Sequence, residues 1–164
     1  MYYYLFLGTN DKFITCSHDK TLILWDAVSH KAKWVETVRS TLTCVAFINS
    51  NFAAGSSDGY LYYTDIEERN LVRIKVSDEA ISALAFNDTG TQLAIGTKEN
   101  TIYLCTDTSA LPDTFEAVEL TGHSSHITHL DFVQSGTTDQ GTVIRSNSAD
   151  HEVLFWNDSE QITG

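Results

Sequence analysis

The amino-acid sequence predicts an all-β fold assembled from repeated sheet units, and three observations carry that prediction. No segment holds a 3.6-residue apolar period over three turns, so no long amphipathic helix is expected. One short pattern recurs: residues 13–19 (FITCSHD) are matched by 52–58 (FAAGSSD) 39 residues later, by 93–99 (LAIGTKE) after 41 more, and by 144–150 (IRSNSAD) after another 51. Each copy ends on an acidic residue, and a second β-rich run follows at once, closing six residues after the acid.

Taken in order, the chain opens on an apolar run at 2–7 that reads as a first strand. Further first strands are expected at 41–47 (TLTCVAF), 80–86 (AISALAF) and 126–132 (HITHLDF), each closing on phenylalanine. They are apolar and rich in β-branched residues, as fully buried strands are. The matched copies supply second strands, and the runs at 21–25, 60–64, 101–105 and 152–156 supply third strands. Fourth, more polar strands are expected at 32–38, 71–76 and 115–120. Turn chemistry at 49–51, 57–59 and 87–90 separates them.

Four-stranded units that recur every 39 to 51 residues, two of them closing on Trp25-Asp26 and Trp156-Asn157, are the signature of β-propeller blades. Blades are expected at roughly 1–38, 39–76, 77–120 and 121–164. The count reaches about 15 strands, so about four blades are expected, as an arc or fragment of a larger propeller. Closure is what removes exposed sheet edges, so the remaining blades are expected from a longer chain.

Charge narrows the function. Residues 1–75 hold eight acids and eight bases, whereas 76–164 hold 14 acids against Lys98 and Arg145, giving a net charge of −12. Such a surface repels phosphate backbones, so no nucleic-acid partner is expected. The run at 2–7 is too short to cross a bilayer and lacks the flanks of a signal peptide, so no membrane role is expected either. Cys16, Cys44 and Cys105 form no CxxC pair and lie in apolar runs. They read as buried free thiols of a reducing, cytoplasmic compartment.

No catalytic motif is present: there is no Gly-x-Ser-x-Gly, no glycine-rich phosphate loop and no cysteine with a motif-placed histidine. The regular placement of Asp19, Asp58, Glu99 and Asp150 marks them as turn architecture rather than catalytic acids. His123, His126 and His129 have metal-like spacing, but residues three apart on a strand face opposite sides, so no metal site is expected. No cofactor and no catalytic residue is assigned.

The segments at 16–34 (CSHDKTLILWDAVSHKAKW), 122–132 (GHSSHITHLDF) and 146–156 (SNSADHEVLFW) resemble the EMAP-like proteins, the echinoderm microtubule-associated protein-like family of WD-repeat β-propellers. The blocks keep that family's order and similar spacing over nearly the whole chain, and look like the later part of the first of its two propellers. The resemblance implies a buried relay of His123, Ser146 or Ser148, Asp150 and Trp156 in the last blade. It implies Ser17, Asp19 and Trp25 as the remnant of one in the first blade. Both tryptophans are expected to fill core, so truncating either would cost about 3–5 kcal/mol.

The resemblance further implies a non-enzymatic, cytoplasmic and cytoskeletal interaction module that contributes to tubulin or microtubule binding. Contact with acidic tubulin would use the neutral first half, with Lys12, Lys20, Lys31, Lys33, Arg39, Arg69, Arg73 and Lys75. A generic WD-repeat scaffold for peptide or protein partners is the alternative. No individual partner-binding residue is assigned.

Overall fold

The structure, a computed structural model, describes residues 2–6, 12–65, 70–111, 113–133 and 142–162. The long polar turn at 133–143 and Arg69 therefore fall largely or wholly outside the described residues. Among those described, fifteen strands form four antiparallel sheets, each a simple meander in chain order.

The first sheet comprises β1 (Tyr2–Phe6), β2 (Lys12–Ser17), β3 (Thr21–Asp26) and β4 (Lys31–Thr37). The second holds β5 (Leu42–Ile48), β6 (Asn51–Ser56), β7 (Tyr60–Asp65) and β8 (Val72–Lys75). The third holds β9 (Ile81–Phe86), β10 (Leu93–Thr97), β11 (Thr101–Cys105) and β12 (Val118–Thr121). The fourth holds β13 (Ile127–Val133), β14 (Val143–Ser148) and β15 (Val153–Trp156).

Successive sheets stack face to face and meet along their first strands, β1 on β5, β5 on β9 and β9 on β13. This is propeller packing, in which the first strand of each blade lies innermost. A separate core fills each gap. Ile14, Cys16 and Leu22 meet Leu42, Phe52 and Tyr62 across the first gap. Ala53, Leu61 and Tyr63 meet Ile81, Leu93 and Ile95 across the second. Ala94, Ile102 and Leu104 meet Ile127, Ile144 and Trp156 across the third.

Two-sided packing explains the sequence of the second strands. Ala53 and Ala54, adjacent in β6, belong to different cores because alternate side chains leave opposite faces. A strand buried on both faces reads as a continuous apolar run, as Leu93-Ala-Ile-Gly96 does. In β14 buried and exposed residues alternate instead, because one face of the fourth sheet is uncovered among the described residues.

The first strands seat on glycine. A Cβ on Gly55 would lie 2.5 Å from Ile81 Cγ2, and one on Gly96 would lie 2.6 Å from Ile127 Cγ2. Each isoleucine sits at a register shift that opens its first strand, so one repeated knob-and-notch locks neighbouring sheets.

One expected strand is displaced. The fourth strand of the third sheet spans Val118–Thr121, shorter than the 115–120 expectation, its pairing with β11 running from Val118 opposite Leu104 to Thr121 opposite Thr101; a 3₁₀ turn at Thr108–Ala110 lies in the connection before it. Asp107 caps that turn by accepting the Ser109 amide at 2.9 Å. The Thr108 hydroxyl donates to the Gly90 carbonyl at 2.6 Å, and Leu111 is buried.

The buried cysteines behave as small hydrophobes. Burial pushes the Cys16 and Cys44 thiols up to about 12, and burial also raises that of Cys105.

Candidate functional site

The fourth sheet gathers the sequence-expected polar residues into one chain of hydrogen bonds. His123 stands before β13, Ser146 on β14, Asp150 in the β14–β15 turn and Trp156 at the end of β15. The Trp156 indole N–H donates to Ser146 Oγ at 2.7 Å, and that hydroxyl lies 2.7 Å from His123 Nε2. His123 Nδ1 lies 2.9 Å from Asp150 Oδ2. A carboxylate only accepts, so with a neutral ring Nδ1 carries the proton and Nε2 accepts from Ser146. Every donor then points one way, from tryptophan to aspartate.

Ser148 plays another part. Its hydroxyl donates to the Ser125 carbonyl at 2.8 Å and accepts the Asp150 amide at 3.3 Å, tying the turn to the segment before β13. Asp150 also accepts the Ser124 amide at 3.0 Å and the Glu152 amide at 2.8 Å. Burial pushes the Asp150 carboxyl up, but hydrogen bonds from Glu152, His123 and Ser124 outweigh it and hold the group well below the usual carboxylate range. A depressed folded-state value makes this contribution to stability fully present above the unfolded value and lost as pH falls below it. In urea melts taken from about pH 6 down to about pH 2.5, the wild type should therefore lose more stability than Asp150→Asn, which has no carboxylate to titrate. Parallel curves for the two proteins would remove Asp150 from the acid response.

In the first sheet Ser17 and Asp19 keep their turn roles. Asp19 accepts the Thr21 amide at 2.9 Å, and Ser17 Oγ accepts the Asp19 amide at 3.2 Å. The Trp25 indole, however, donates to Thr15 Oγ1 at 2.9 Å and not to Ser17. Thr15 precedes Ser17 by two residues as Ser146 precedes Ser148, so the indole finds its hydroxyl at the same repeat position in both sheets. Trp25 is also only half-buried, stacked on Phe13 beside an open cleft of about 410 Å³. The expectation of two equal core tryptophans is corrected accordingly: Trp25 lies on a face that no other sheet covers among the described residues.

The second sheet has no histidine or tryptophan at these positions, yet its turn aspartate is held. Asp58 accepts hydrogen bonds from Ser40 and from Ser56, the latter at 2.6 Å, and Arg73 approaches it at 3.3 Å. Ser40 was not foreseen, since nothing in its local sequence pairs it with Asp58. In the third sheet Glu99 instead accepts the Tyr103 hydroxyl at 2.7 Å. All four acids share one further feature: the next residue, Lys20, Gly59, Asn100 or His151, has positive φ between 68° and 75°. The turns are thus one left-handed device used four times.

The aspartate of Trp25-Asp26 caps the following turn, accepting the Val28 and Ser29 amides at 3.0 and 2.7 Å. Asn157 does the same for Ser159 and Glu160 at 2.9 and 2.8 Å. Asparagine can therefore replace aspartate after the tryptophan.

Of the histidine run, His123 is buried, while His126 and His129 are exposed and His129 lies 3.7 Å from Asp131. His123, Asp150 and Glu152 could offer ligand atoms within 4.8 Å of one another. Both His123 nitrogens already face relay partners, so metal binding there would break the relay. Among the bases of the first half, Lys31 and Lys33 lie on β4, and Arg73 and Lys75 on β8. These are the outermost strands of the first two sheets. Lys33 is paired with Asp26 at 2.6 Å and Lys75 with Asp78 at 3.4 Å. No helix among the described residues is long and apolar enough to cross a membrane.

The crystal structure of the computationally designed Ika4 protein superposes with a TM-score of 0.73 over 94% of this chain and 88% of that one, at 20% identity, a likeness of fold. Echinoderm microtubule-associated protein-like 3 of Homo sapiens is 34% identical over 151 residues, 90% of this chain but 16% of that protein. Echinoderm microtubule-associated protein-like 1 of Mus musculus is 33% identical over 152 residues, 91% of this chain and 18% of that protein. The chain thus spans less than a fifth of the length of these curated relatives. The family model for the second β-propeller of echinoderm microtubule-associated proteins matches residues 7–163. That corrects the expectation of the first propeller. With four meander sheets, the Trp–Ser–His–Asp chain and a match over nearly every residue, the chain belongs to the echinoderm microtubule-associated protein-like family of β-propellers.

Proposed function

We propose that this chain is a non-enzymatic protein-interaction module that contributes to tubulin or microtubule binding in the cytoplasm and cytoskeleton. The observation that carries the reading is the family match over residues 7–163. Its relatives are named as microtubule-associated proteins. The polar relay is, on this reading, a structural staple: its groups are satisfied by one another, which leaves none poised for chemistry. Partner contact falls on the outer strands of the first two sheets, where the bases concentrate, because the remainder of the chain carries the whole net charge of −12.

Co-pelleting of the purified chain with microtubules tests this. Pelleting should fall as ionic strength rises, and Lys31→Glu combined with Arg39→Glu should weaken it several-fold. Absence of pelleting at low salt would overturn the tubulin reading. Salt-independent pelleting would overturn the basic surface. The strong acidity of the second half favours a second reading, a scaffold for peptide or protein partners with no tubulin role.

A further inference from the structure

We propose that two copies of this chain close on each other, the open face of the first sheet in one copy receiving the open face of the fourth sheet in the other. Those two faces lie at opposite ends of the stack and are uncovered among the described residues. On the first sheet the strand register gathers Phe13, Thr15, Ile23, Trp25 and Val35 on the open side, and the first four line a cleft of about 410 Å³. On the fourth sheet it gathers Asp131, Val133, Arg145, Asn147, Val153 and Phe155 on the side away from Ile144 and Trp156. Six large hydrophobic residues are exposed among those described, and four of them, Val35, Val133, Val153 and Phe155, lie on these two faces. Apolar surface gathered in this way marks a docking surface.

The seam between the third and fourth sheets says what fits such a face. Ile102 and Leu104, on the third strand of the third sheet, share a core with Trp156 and leave it 1% exposed. The repeat places Val153 and Phe155 51 residues after Ile102 and Leu104, at the same positions of their own third strand. It places Trp25 at the position of Trp156, each indole bonded to a hydroxyl of its second strand. The fourth sheet therefore presents the two side chains that cover a tryptophan of this kind. The first sheet presents such a tryptophan uncovered.

A second copy is the occupant because it brings both faces at once. The head-to-tail contact then repeats at two junctions, and closure removes both open faces together. Two copies of four sheets hold eight, inside the range of roughly four to eight blades over which propellers close. Arg145 and Asn147 stand where the third sheet has Ala94 and Gly96, so this junction is more polar than the seams inside the chain. Arg145 is already held by Asp131 through hydrogen bonds of 3.2 and 2.6 Å, and docking carries the two as a neutral pair. Desolvating that pair keeps the association reversible.

The inference goes beyond the interaction-module reading and does not depend on tubulin as a partner. The test is light-scattering mass of the purified full chain over about a hundredfold range of concentration, with acrylamide quenching of tryptophan fluorescence on the same samples. The mass should rise from one chain to two and stop, and quenching should fall as Trp25 is covered. Phe155→Arg and Val35→Arg change exposed side chains, so their urea melts at high dilution should match the wild type. Each should raise the dissociation constant about tenfold or more. Val28→Arg, in the turn between β3 and β4, should leave pairing unchanged. An equimolar mixture of Phe155→Arg and Val35→Arg keeps one sound junction and should pair more tightly than either variant alone.

A single-chain mass at every concentration would overturn the proposal. So would a mass that climbs past two chains, which means an open filament rather than a closed pair. Pairing that survives both Phe155→Arg and Val35→Arg, or that Val28→Arg damages as much, would place the contact on another surface. A mixture that pairs no better than its components would show like faces meeting like and refute the head-to-tail arrangement. Microtubules do not enter the assay, so its failure and the failure of the tubulin reading are separately visible.

Discussion

Trp156→Ala should lower stability by about 3–5 kcal/mol, the range for truncating a fully buried aromatic side chain. The indole is 1% exposed and fills the gap between the third and fourth sheets against residues such as Leu120 and Ile144. It also tilts over His123 at 6.0 Å and anchors the donor end of the relay. Gly122 passes so close that a Cβ there would lie 2.9 Å from Trp156 Cη2, so the backbone is already fitted around the ring. The loss should appear as a fall in urea midpoint of roughly 1–3 M. Trp156→Phe keeps most of the volume but removes the indole donor to Ser146 Oγ, and should cost about 1–3 kcal/mol. Trp25→Ala should cost less than Trp156→Ala because Trp25 is only half-buried. Equal midpoints for Trp156→Ala and wild type would contradict the placement of the ring in the core.

The second large effect is expected at Gly59. Its φ of +75° is shared with Lys20, Asn100 and His151 at the same turn position, so positive φ alone does not demand glycine. The demand comes from the neighbouring chain. Val76 and Ser77 both donate their amides to the Gly59 carbonyl, at 3.0 and 3.2 Å, and draw that segment against the turn. A Cβ at Gly59 would lie 1.9 Å from the Ser77 carbonyl oxygen and 2.7 Å from that of Glu79. Backbone cannot swing aside as a side chain can. Gly59→Ala should therefore cost roughly 2–5 kcal/mol, combining the left-handed penalty with the overlap. Asn100→Ala, which replaces one left-handed side chain with another, should cost about 1 kcal/mol. Matching urea midpoints for Gly59→Ala and Asn100→Ala would sink the distinction.

The relay shows how much of the site could be read in advance. His123, Ser146, Asp150 and Trp156 are brought together in the arrangement that their spacing and the family resemblance implied, because the strands that carry them are consecutive and paired in register. Trp25 was expected to behave likewise, and its indole does find a hydroxyl, but Thr15 supplies it. Strand register decides that choice: Phe13 and Trp25 are cross-strand partners, and Thr15 is on the same face of β2 as Phe13. Ser40, which holds Asp58, was illegible because it lies 18 residues away outside the repeated pattern.

The sequence by itself determined the fold class, the number and order of the strands, the turn acids and the identity of the family. Those properties arise from local alternation, turn chemistry and hydrogen bonds between consecutive strands, all of which repeat along the chain. Only the tertiary structure decided which glycines are indispensable, which tryptophan is core and where a cleft opens between sheets. Those outcomes depend on contacts between residues such as Gly96 and Ile127, or Glu36 and Arg73, that face each other across different sheets. The pairing across a sheet gap is set by the stacking of whole sheets, and no period in the sequence encodes it.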